Sequence, residues 1–383
     1  MQPIIEQIHA APTRLVLEFA GAGSLGLWWL HSVGGSSRTI LEATDRYALT
    51  SLSSLLGHTP NRAVSVETAI EMAARARSRA MLLHLAERKP HEPAIPILGV
   101  SCTATIASDY AKRGTHRGVV AVQHATDSTA YALNLIKGLR DRVGEEYVIS
   151  QLLIRAIARA CGIRSDTPLD LDPDEVVEEH HQMATTPLAR LIRGDARTLT
   201  IHPDGRQVEN ESLYGPILSG SFNPLHTGHV RLAEVAAAML NAPAIFELPI
   251  TNADKGTLIA EEIERRLEQF AKRYTMVLSR VALFTDKAAL YPGCTFVVGY
   301  DTALRLVAPR YYGGAARMHY AMDHIREAGC RFLVAGRVHQ GLFQTLDSIE
   351  MPASIRDLFI PLSEELFRVD LSSTEIREAE SEE

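Results

Sequence analysis

The 383 residues of the chain are too many for one ordinary domain and enough for two, each with a hydrophobic core of its own. A formal net charge of −7 excludes the basic surface typical of nucleic-acid binding, so we expect small-molecule partners and no nucleic acid. The four cysteines lack Cys-x-x-Cys spacing, which excludes the common zinc and disulfide patterns and predicts reduced thiols and no protein-bound metal.

The start of the chain, Met1-Gln-Pro-Ile-Ile-Glu, lacks the charged segment and apolar core of a secretory signal. No apolar run reaches the length that a membrane-spanning helix needs. We therefore expect a soluble, cytoplasmic protein without a membrane partner.

The first half of the chain alternates between helical and β-type patterns. Short apolar runs bounded by small residues predict strands, and longer runs that are apolar on one side predict helices. The predicted strands cover 14–19, 39–43, 95–100 and 117–123, and the predicted helices cover 4–10, 27–33, 49–56, 66–86 and 148–160. Ser65 is the candidate cap of the longest helix. This alternation predicts a layered α/β domain.

Residues 1–162 are similar to the carboxy-terminal domain of CinA proteins, the family of nicotinamide mononucleotide deamidases. The similarity rests on a glycine-rich turn at 20–26 followed by Ser32-Val-Gly-Gly-Ser-Ser, Tyr47, Leu55-Leu-Gly, Ala63-Val-Ser-Val-Glu and Met72-Ala-Ala-Arg-Ala-Arg. Domains of this family often self-associate. The resemblance therefore implies a homo-oligomer formed through the N-terminal domain.

The residues that perform the chemistry of that family differ here. Alignment on Glu18 puts Phe19 at the position of the nucleophilic serine, and alignment on Tyr47 puts Leu52 at the position of a lysine. Neither side chain can attack an amide or move a proton. The candidates for a displaced nucleophile are Ser24, Ser36 and Ser101. Because turn serines usually cap helices, we expect residues 1–164 to form a CinA-like domain without amidohydrolase activity.

An acidic, proline-punctuated stretch separates the two halves, and residues 165–212 are predicted to form a linker. His180 and His181 lie beside two glutamates there, and a solvated face explains them better than a metal site. Farther along, the turn Pro203-Asp-Gly205 between two β-type runs predicts a hairpin.

The strongest chemical motif is Gly220-Ser-Phe-Asn-Pro-Leu-His-Thr-Gly-His229, which follows an apolar run that predicts a buried strand. Its small residues let a ligand approach the backbone, and the helix predicted from about Gly228 offers free N–H groups to an anion. The predicted nucleotide-binding residues of this turn are Gly220, Ser221, Phe222 and Asn223. His226 and His229 are three residues apart and face the same way on a helix, where they can donate to phosphate oxygens. We expect both to be catalytic.

Three more apolar runs, at 245–250, 295–299 and 331–335, predict further strands, and a helix is predicted over 261–283. Lys255 follows the first of these strands and Asp301 follows the second. Open α/β sheets bind ligands at the carboxyl ends of their strands, so both residues are candidates for acceptor binding.

The last motif is Leu371-Ser-Ser-Thr-Glu-Ile-Arg377, at the start of a predicted helix. Ser372, Ser373 and Thr374 offer hydroxyl and backbone donors to the nucleotide phosphates. Arg377 lies one turn farther along and can add charged hydrogen bonds, so it joins the histidines as a catalytic candidate.

Together these motifs resemble the nucleotidylyltransferases with an H-x-G-H motif, and within them the nicotinamide and nicotinate mononucleotide adenylyltransferases. Arg273-Tyr-Thr-Met276, which matches an R-x-x-M pattern, and the Gly-x-Asp before Thr302 are also similar to that family. The resemblance implies a Rossmann-like domain with a parallel sheet over 213–383. It also implies transfer of AMP from ATP, with Mg²⁺ as cofactor, to a small phosphorylated acceptor in NAD biosynthesis, and release of pyrophosphate.

One departure from the family keeps other functions open. The tryptophan usual after Gly-x-Asp is absent, and Tyr311 or Tyr312 is the candidate that would stack on a base in its place. A nucleotidylyltransferase for phosphopantetheine or an alcohol phosphate, with ATP or CTP, is the second hypothesis. A non-catalytic nucleotide-binding protein is the third.

Overall fold

The computed structural model describes residues 1–88, 92–110, 113–164, 169–252, 256–339 and 342–368. The chain divides into two compact units, Met1–Ala189 and Arg190–Glu383. Each unit contains its own β-sheet and hydrophobic core. The predicted two-domain α/β fold is confirmed. Within the described ranges, no helix is long and apolar enough to cross a membrane.

The N-terminal unit alternates helices and strands along most of its length. In chain order its elements are α1 Gln2–Ala10, β1 Arg14–Ala20, α2 Ser24–Ser32, α3 Ser36–Thr39, β2 Ile40–Asp45, α4 Leu49–Leu56, α5 Val66–Glu87, β3 Ile97–Thr105, β4 His116–Gln123, β5 Asp127–Leu135, α6 Arg142–Ala160 and β6 Val177–Met183. Ser65 caps α5 as predicted, because its side chain accepts a hydrogen bond from the Thr68 N–H at 3.2 Å.

These strands form one mixed sheet in the order β2-β1-β3-β4-β5-β6. β1 is parallel to β2 and β3, whereas β4, β5 and β6 extend the sheet in antiparallel fashion. Alternate residues of β4 face opposite layers: Val120 packs with α1, α2 and α6, and Val119 packs with α5. Gly99 is required beneath α5, since a Cβ there would lie 2.0 Å from the Ala73 carbonyl oxygen.

The described residues of the stretch predicted as a linker, 165–212, contribute strands to both sheets. β6 is polar and largely exposed, yet it pairs with β5 as the edge strand of the first sheet. Its polar composition suits an exposed sheet edge as well as a linker. The hairpin predicted around Gly205 joins two strands of the second sheet, which are given next.

The C-terminal unit begins within α7, Pro187–Arg193. Its further elements are β7 Thr198–Ile201, β8 Gln207–Glu209, β9 Pro216–Ser219, α8 Thr227–Leu240, β10 Ile245–Pro249, β11 Thr251–Asn252, β12 Gly256–Thr257, α9 Ala260–Glu268, β13 Met276–Ser279, α10 Phe284–Leu290, β14 Thr295–Gly299, α11 Tyr300–Leu306, α12 Ala315–Glu327, β15 Arg331–Ala335, β16 Arg337–His339, β17 Leu342–Gln344 and β18 Phe359–Pro361.

The second sheet has the order β18-β15-β14-β9-β10-β13-β7-β8. The six strands from β18 to β13 are parallel. At one edge, β7 pairs antiparallel with β13, and β8 pairs antiparallel with β7. The chain leaves β9 toward β10 on one side and later enters β14 on the other side. The carboxyl ends of β9 and β14 therefore flank a topological switch point, where open α/β sheets form their binding crevice.

The helix predicted over 261–283 is wrong. In that region the structure has most of α9, a turn and the short strand β13, and α10 begins directly after it. Met276, part of the R-x-x-M match, is the first residue of β13 and is 1% exposed, so its side chain packs in the core. Pairing with β10 and β7 fixes this strand, and that pairing is not visible in a local pattern.

Candidate active site

The motif 220–229 forms the connection from β9 to α8 at the switch point. The Gly220 N–H donates to the Glu247 carbonyl oxygen at 3.0 Å, which ties the start of the turn to β10. Residues 220–226 are neither helix nor strand, and α8 begins directly after His226. The predicted turn residues are therefore brought beside the first turn of a helix, as the motif implies.

The two histidines lie against each other at the start of α8. Their ring centroids are 3.7 Å apart, and the His226 N–H donates to His229 Nδ1 at 3.3 Å. Burial lowers the pKa of His226, and burial together with the neighbouring His226 lowers the pKa of His229 to about 4. His226 Nδ1 is buried and has no hydrogen-bond partner among the described residues. Both rings are therefore neutral at pH 7.

Unlike the other predicted nucleotide-binding residues of this turn, Phe222 is buried in the core. Its side chain is 1% exposed and makes edge contacts with the rings of His229, Phe246 and Phe270 at 5.1 to 5.5 Å. The backbone of Phe222 is left-handed, with φ of 46°. This side chain supports His229 from the core, and only its backbone is placed for a ligand.

A buried polar cluster lies at the base of the turn, and sequence reasoning missed it. Lys287 of α10 is 2% exposed and donates to Glu247 Oε2 at 2.6 Å and to the Ser219 hydroxyl. Ser279 donates to the other oxygen of the same carboxylate at 2.7 Å. The single glutamate in the apolar run 245–250 could have predicted this cluster, because a buried charge requires a partner.

Asp301 lies in the first turn of α11, directly after β14. Its carboxylate is ion-paired with Arg337, which opens β16 just past the end of β15. The Asp301 side chain is 40% exposed and the Arg337 side chain is 49% exposed. A carboxylate and a guanidinium therefore stand together at the carboxyl edge of the parallel sheet, on the β14 side of the switch point.

Five predicted site residues lie outside the described residues: Lys255, Ser372, Ser373, Thr374 and Arg377. Within the described ranges, no group of three or more histidine, cysteine or acidic side chains could hold a metal ion.

The N-terminal unit has a cavity at the carboxyl ends of β1 and β3, lined by Gly21, Arg46, Leu52, Thr103 and Arg142. Arg46 makes a two-pronged ion pair with the buried Glu18. Phe19 and Leu52, at the positions of the family's nucleophile and lysine, are 6% and 2% exposed and pack in the core.

The serines considered as displaced nucleophiles have structural partners. Ser101 is fully buried, and its hydroxyl donates to the Ala69 carbonyl oxygen at 2.6 Å. Ser24 donates to Glu146, whose carboxylate also accepts from the N–H groups of Gly23 and Leu25. A carboxylate of the protein itself thus occupies the start of α2, the position where a helix binds anions. Ser36 is hydrogen-bonded to His31 at 3.3 Å.

Comparison with known proteins bears on both units. Residues 217–379 match the family model described as cytidylyltransferase-like. The C-terminal unit is a cytidylyltransferase-like domain, and the chain is an enzyme of the nucleotidylyltransferase class. It is similar to a probable nicotinate-nucleotide adenylyltransferase of Gloeobacter violaceus, with 27% identity over 180 residues that cover 42% of this chain and 81% of that protein.

The structural neighbours of the N-terminal unit are CinA proteins. One is the competence/damage inducible protein CihA from Agrobacterium tumefaciens, 18% identical, with a TM-score of 0.29 over 42% of this chain and 93% of that chain. Another is a competence or damage-inducible protein from Enterobacter asburiae, 14% identical, with a TM-score of 0.29 over 42% of this chain and 91% of that chain.

Proposed function

We propose that the chain is an adenylyltransferase that transfers AMP from ATP to nicotinamide or nicotinate mononucleotide and releases pyrophosphate. The observation that carries the proposal is the position of the motif 220–229 and of Asp301 on the two sides of one switch point. A nucleotide on the β9 side and an acceptor on the β14 side would then meet in the crevice between them.

The reaction needs no protein nucleophile. A phosphate oxygen of the acceptor attacks the α-phosphorus of ATP in line, the bond from that phosphorus to the bridging oxygen breaks, and pyrophosphate leaves with the electron pair. Because His229 Nδ1 accepts from the backbone, the neutral ring carries its proton on Nε2 and can donate it to a phosphate oxygen. His226 and His229 stabilise the charge that builds on the phosphates.

Arg377 and the hydroxyls of Ser372, Ser373 and Thr374 are proposed to hold the nucleotide phosphates, and Lys255 to hold the phosphate of the acceptor. Mg²⁺ is proposed to arrive with ATP and to neutralise its phosphate charge, since Mg²⁺ often binds through substrate phosphates and water. The protein residues then orient the two substrates and exclude misaligned ones.

The test is pyrophosphate release by the full-length protein with Mg²⁺ and either ATP or CTP. The acceptor panel contains nicotinamide mononucleotide, nicotinate mononucleotide, phosphopantetheine and glycerol phosphate. Turnover with ATP and a pyridine mononucleotide, at least about tenfold above the other pairs, is the expected result. Turnover confined to another pair, or none with any pair, would contradict the proposal.

A second candidate is the same chemistry with another acceptor. It is favoured by the region that lacks the family's tryptophan, where Tyr311 is 56% exposed and lies 5.0 Å from the Arg310 guanidinium. Tyr312 is less available, because its hydroxyl donates to the Leu306 carbonyl oxygen at 3.0 Å. The acceptor panel separates this candidate from the first, and nucleotide binding without turnover would favour a non-catalytic protein.

For the N-terminal unit the proposal is a domain without amidohydrolase activity that serves assembly of a homo-oligomer. The burial of Phe19 and Leu52 in the core supports the lack of activity, and the assembly role rests on the resemblance to CinA domains. The full-length protein should release no ammonia from nicotinamide mononucleotide above background. Ammonia release at an enzyme-like rate, abolished by Ser24→Ala, would overturn this part.

A further inference from the structure

Three side chains of one helix hold the irregular loop between β9 and the histidine pair. Arg265 and Arg266 of α9, and Gln269 directly after its last residue, all form hydrogen bonds with residues 221–225. The contacts are Arg265 Nη2 to Asn223 Oδ1 at 2.5 Å, Arg266 Nη1 to the Ser221 carbonyl oxygen at 2.9 Å, Gln269 Nε2 to the Phe222 carbonyl oxygen at 3.0 Å, and the Leu225 N–H to Gln269 Oε1 at 2.7 Å.

The loop depends on such contacts because it has no regular secondary structure. Backbone groups in a loop that is partly buried must find partners outside a helix or sheet ladder. Phe222 also adopts a left-handed backbone, which is uncommon for a bulky residue and persists only where its surroundings fix it. The α9 side chains supply these partners.

Gln269 is the most specific of the three contacts. Its amide group donates to Phe222 and to the Arg266 carbonyl oxygen, and it accepts from Leu225, so both ends of the carboxamide are used. A carboxamide offers a donor and an acceptor in one planar group, and here both are used. The two loop contacts bracket residues 223 and 224.

Leu225 is followed directly by His226, the residue before the first turn of α8. Phe222, at the other end of the bracket, packs its ring against the ring of His229. Gln269 thus holds both residues that set the place of the histidine pair.

The neighbouring arginines keep the helix that presents Gln269 in place. Glu262 pairs with Arg265 at 2.6 Å and with Arg266 at 2.7 Å, and these three side chains are only 11% to 14% exposed. Because both guanidiniums also reach the loop, the helix and the loop are joined at four points. These contacts therefore restrict the movement of Gln269 relative to the loop.

We propose that Gln269 is a positioning residue for His226 and His229, which clamps the loop through Phe222 and Leu225 and so sets where the imidazoles meet the nucleotide phosphates. The proposal rests on the adenylyltransferase function. In this proposal Gln269 acts through the two histidines and not by contact with a substrate. A comparable displacement of catalytic groups by about 1 Å lowers turnover by about 100-fold.

The experiment compares Gln269→Met, which removes the donor and the acceptor, with Gln269→Glu, which keeps the acceptor alone. Glu268→Gln is the matched control, because it puts a carboxamide on the adjacent, exposed position of α9. We expect kcat to fall about 10- to 100-fold in both Gln269 variants and to stay within about twofold in the control. The KM for the acceptor should change less than about threefold in all of them.

Hydrogen exchange of the Leu225 amide gives a readout that does not depend on catalysis. Exchange should be at least about tenfold faster in Gln269→Met than in the wild type, and near wild type in Gln269→Glu, whose carboxylate still accepts. A merely structural role would instead raise exchange across the whole unit. If Gln269→Met does not fold, Gln269→Glu carries the test through its kcat and through the imidazole ¹⁵N shifts of the two histidines.

Unchanged Leu225 exchange in a folded Gln269→Met protein would overturn the proposal, as would a wild-type kcat in both variants. If the wild type turns over no acceptor, the proposed function fails separately. In that case the Leu225 exchange and the imidazole shifts of His226 and His229 still decide whether Gln269 positions the pair. The shifts should change in Gln269→Met and stay the same in Glu268→Gln.

Discussion

The imidazole rings of His226 and His229 are stacked, with ring planes inclined by 26° and centroids 3.7 Å apart. Two charged imidazolium rings would repel each other at this distance, and both pKa values are lowered, first of all by burial. In the proposed mechanism the pair therefore acts through neutral hydrogen-bond donors rather than through a permanent positive charge.

Replacing His229 tests that contribution. In His229→Ala, kcat should fall about 100- to 1,000-fold, because a donor aimed at the developing phosphate charge is lost. The nucleotide dissociation constant should change by less than about tenfold, as measured by calorimetry. His324→Ala, which removes an exposed histidine of α12, is the control and should keep the wild-type kcat. An unchanged kcat in His229→Ala would remove His229 from the mechanism.

The same residue predicts a pH dependence of stability. Its pKa is about 4 in the folded protein and near 6.5 when unfolded, so the unfolded chain binds more protons between these values. Stability from this residue is present above pH 6.5 and is lost as the pH falls toward 4. As the pH is lowered from 6.5 to 4, the urea midpoint of the wild type should therefore fall relative to that of His229→Gln. A difference that does not vary with pH would contradict the lowered pKa.

The buried pair of Lys287 and Glu247 predicts a large effect on stability. In Lys287→Met the Glu247 carboxylate would remain buried without its cation, and removing one partner of such a pair typically costs about 3–5 kcal/mol of unfolding free energy. Urea unfolding of the full chain measures it. Adding Glu247→Leu to Lys287→Met should recover part of the loss. Equal stability of the single and double variants would mean that the unpaired charge is not the cause.

Asp301 is predicted to act on the acceptor and not on the nucleotide. In Asp301→Asn the KM for the acceptor should rise about tenfold or more, because a charged hydrogen-bond acceptor becomes neutral. The KM for ATP should stay within about threefold. The control is Asp323→Asn, because Asp323 is also paired with an arginine but lies on a different helix, α12. A rise in the KM for ATP alone would move Asp301 to the nucleotide side of the site.

The sequence alone was enough to predict the parts of this unit in which chemistry and strand pattern coincide. The apolar runs that became β9, β10, β14 and β15 are short, are bounded by turn residues, and lie in the parallel core of the sheet. The motif 220–229 directly follows β9, as the apolar run before it predicted. Local composition is informative there because strands buried on both faces of a parallel sheet are nearly continuous apolar runs.

The remainder depends on contacts between distant residues. β13 has only 4 residues inside a region of strong helix formers, and its pairing with β10 and β7 decided its structure. Lys287 is 40 residues from Glu247, and no local pattern relates them. Gln269 was missed for a related reason, because residues 261–283 were predicted as one helix and its end at Glu268 was not anticipated.

The central claim is transfer of the adenylyl group, and ATP labelled with ³²P at the α-position tests it most directly. With Mg²⁺, the full-length protein and nicotinamide or nicotinate mononucleotide, the label should appear in a dinucleotide product while unlabelled pyrophosphate is released. His229→Ala should abolish most of that transfer. Label that stays in ATP, or that is released as AMP without joining an acceptor, would contradict the assignment of this chain as an adenylyltransferase for pyridine mononucleotides.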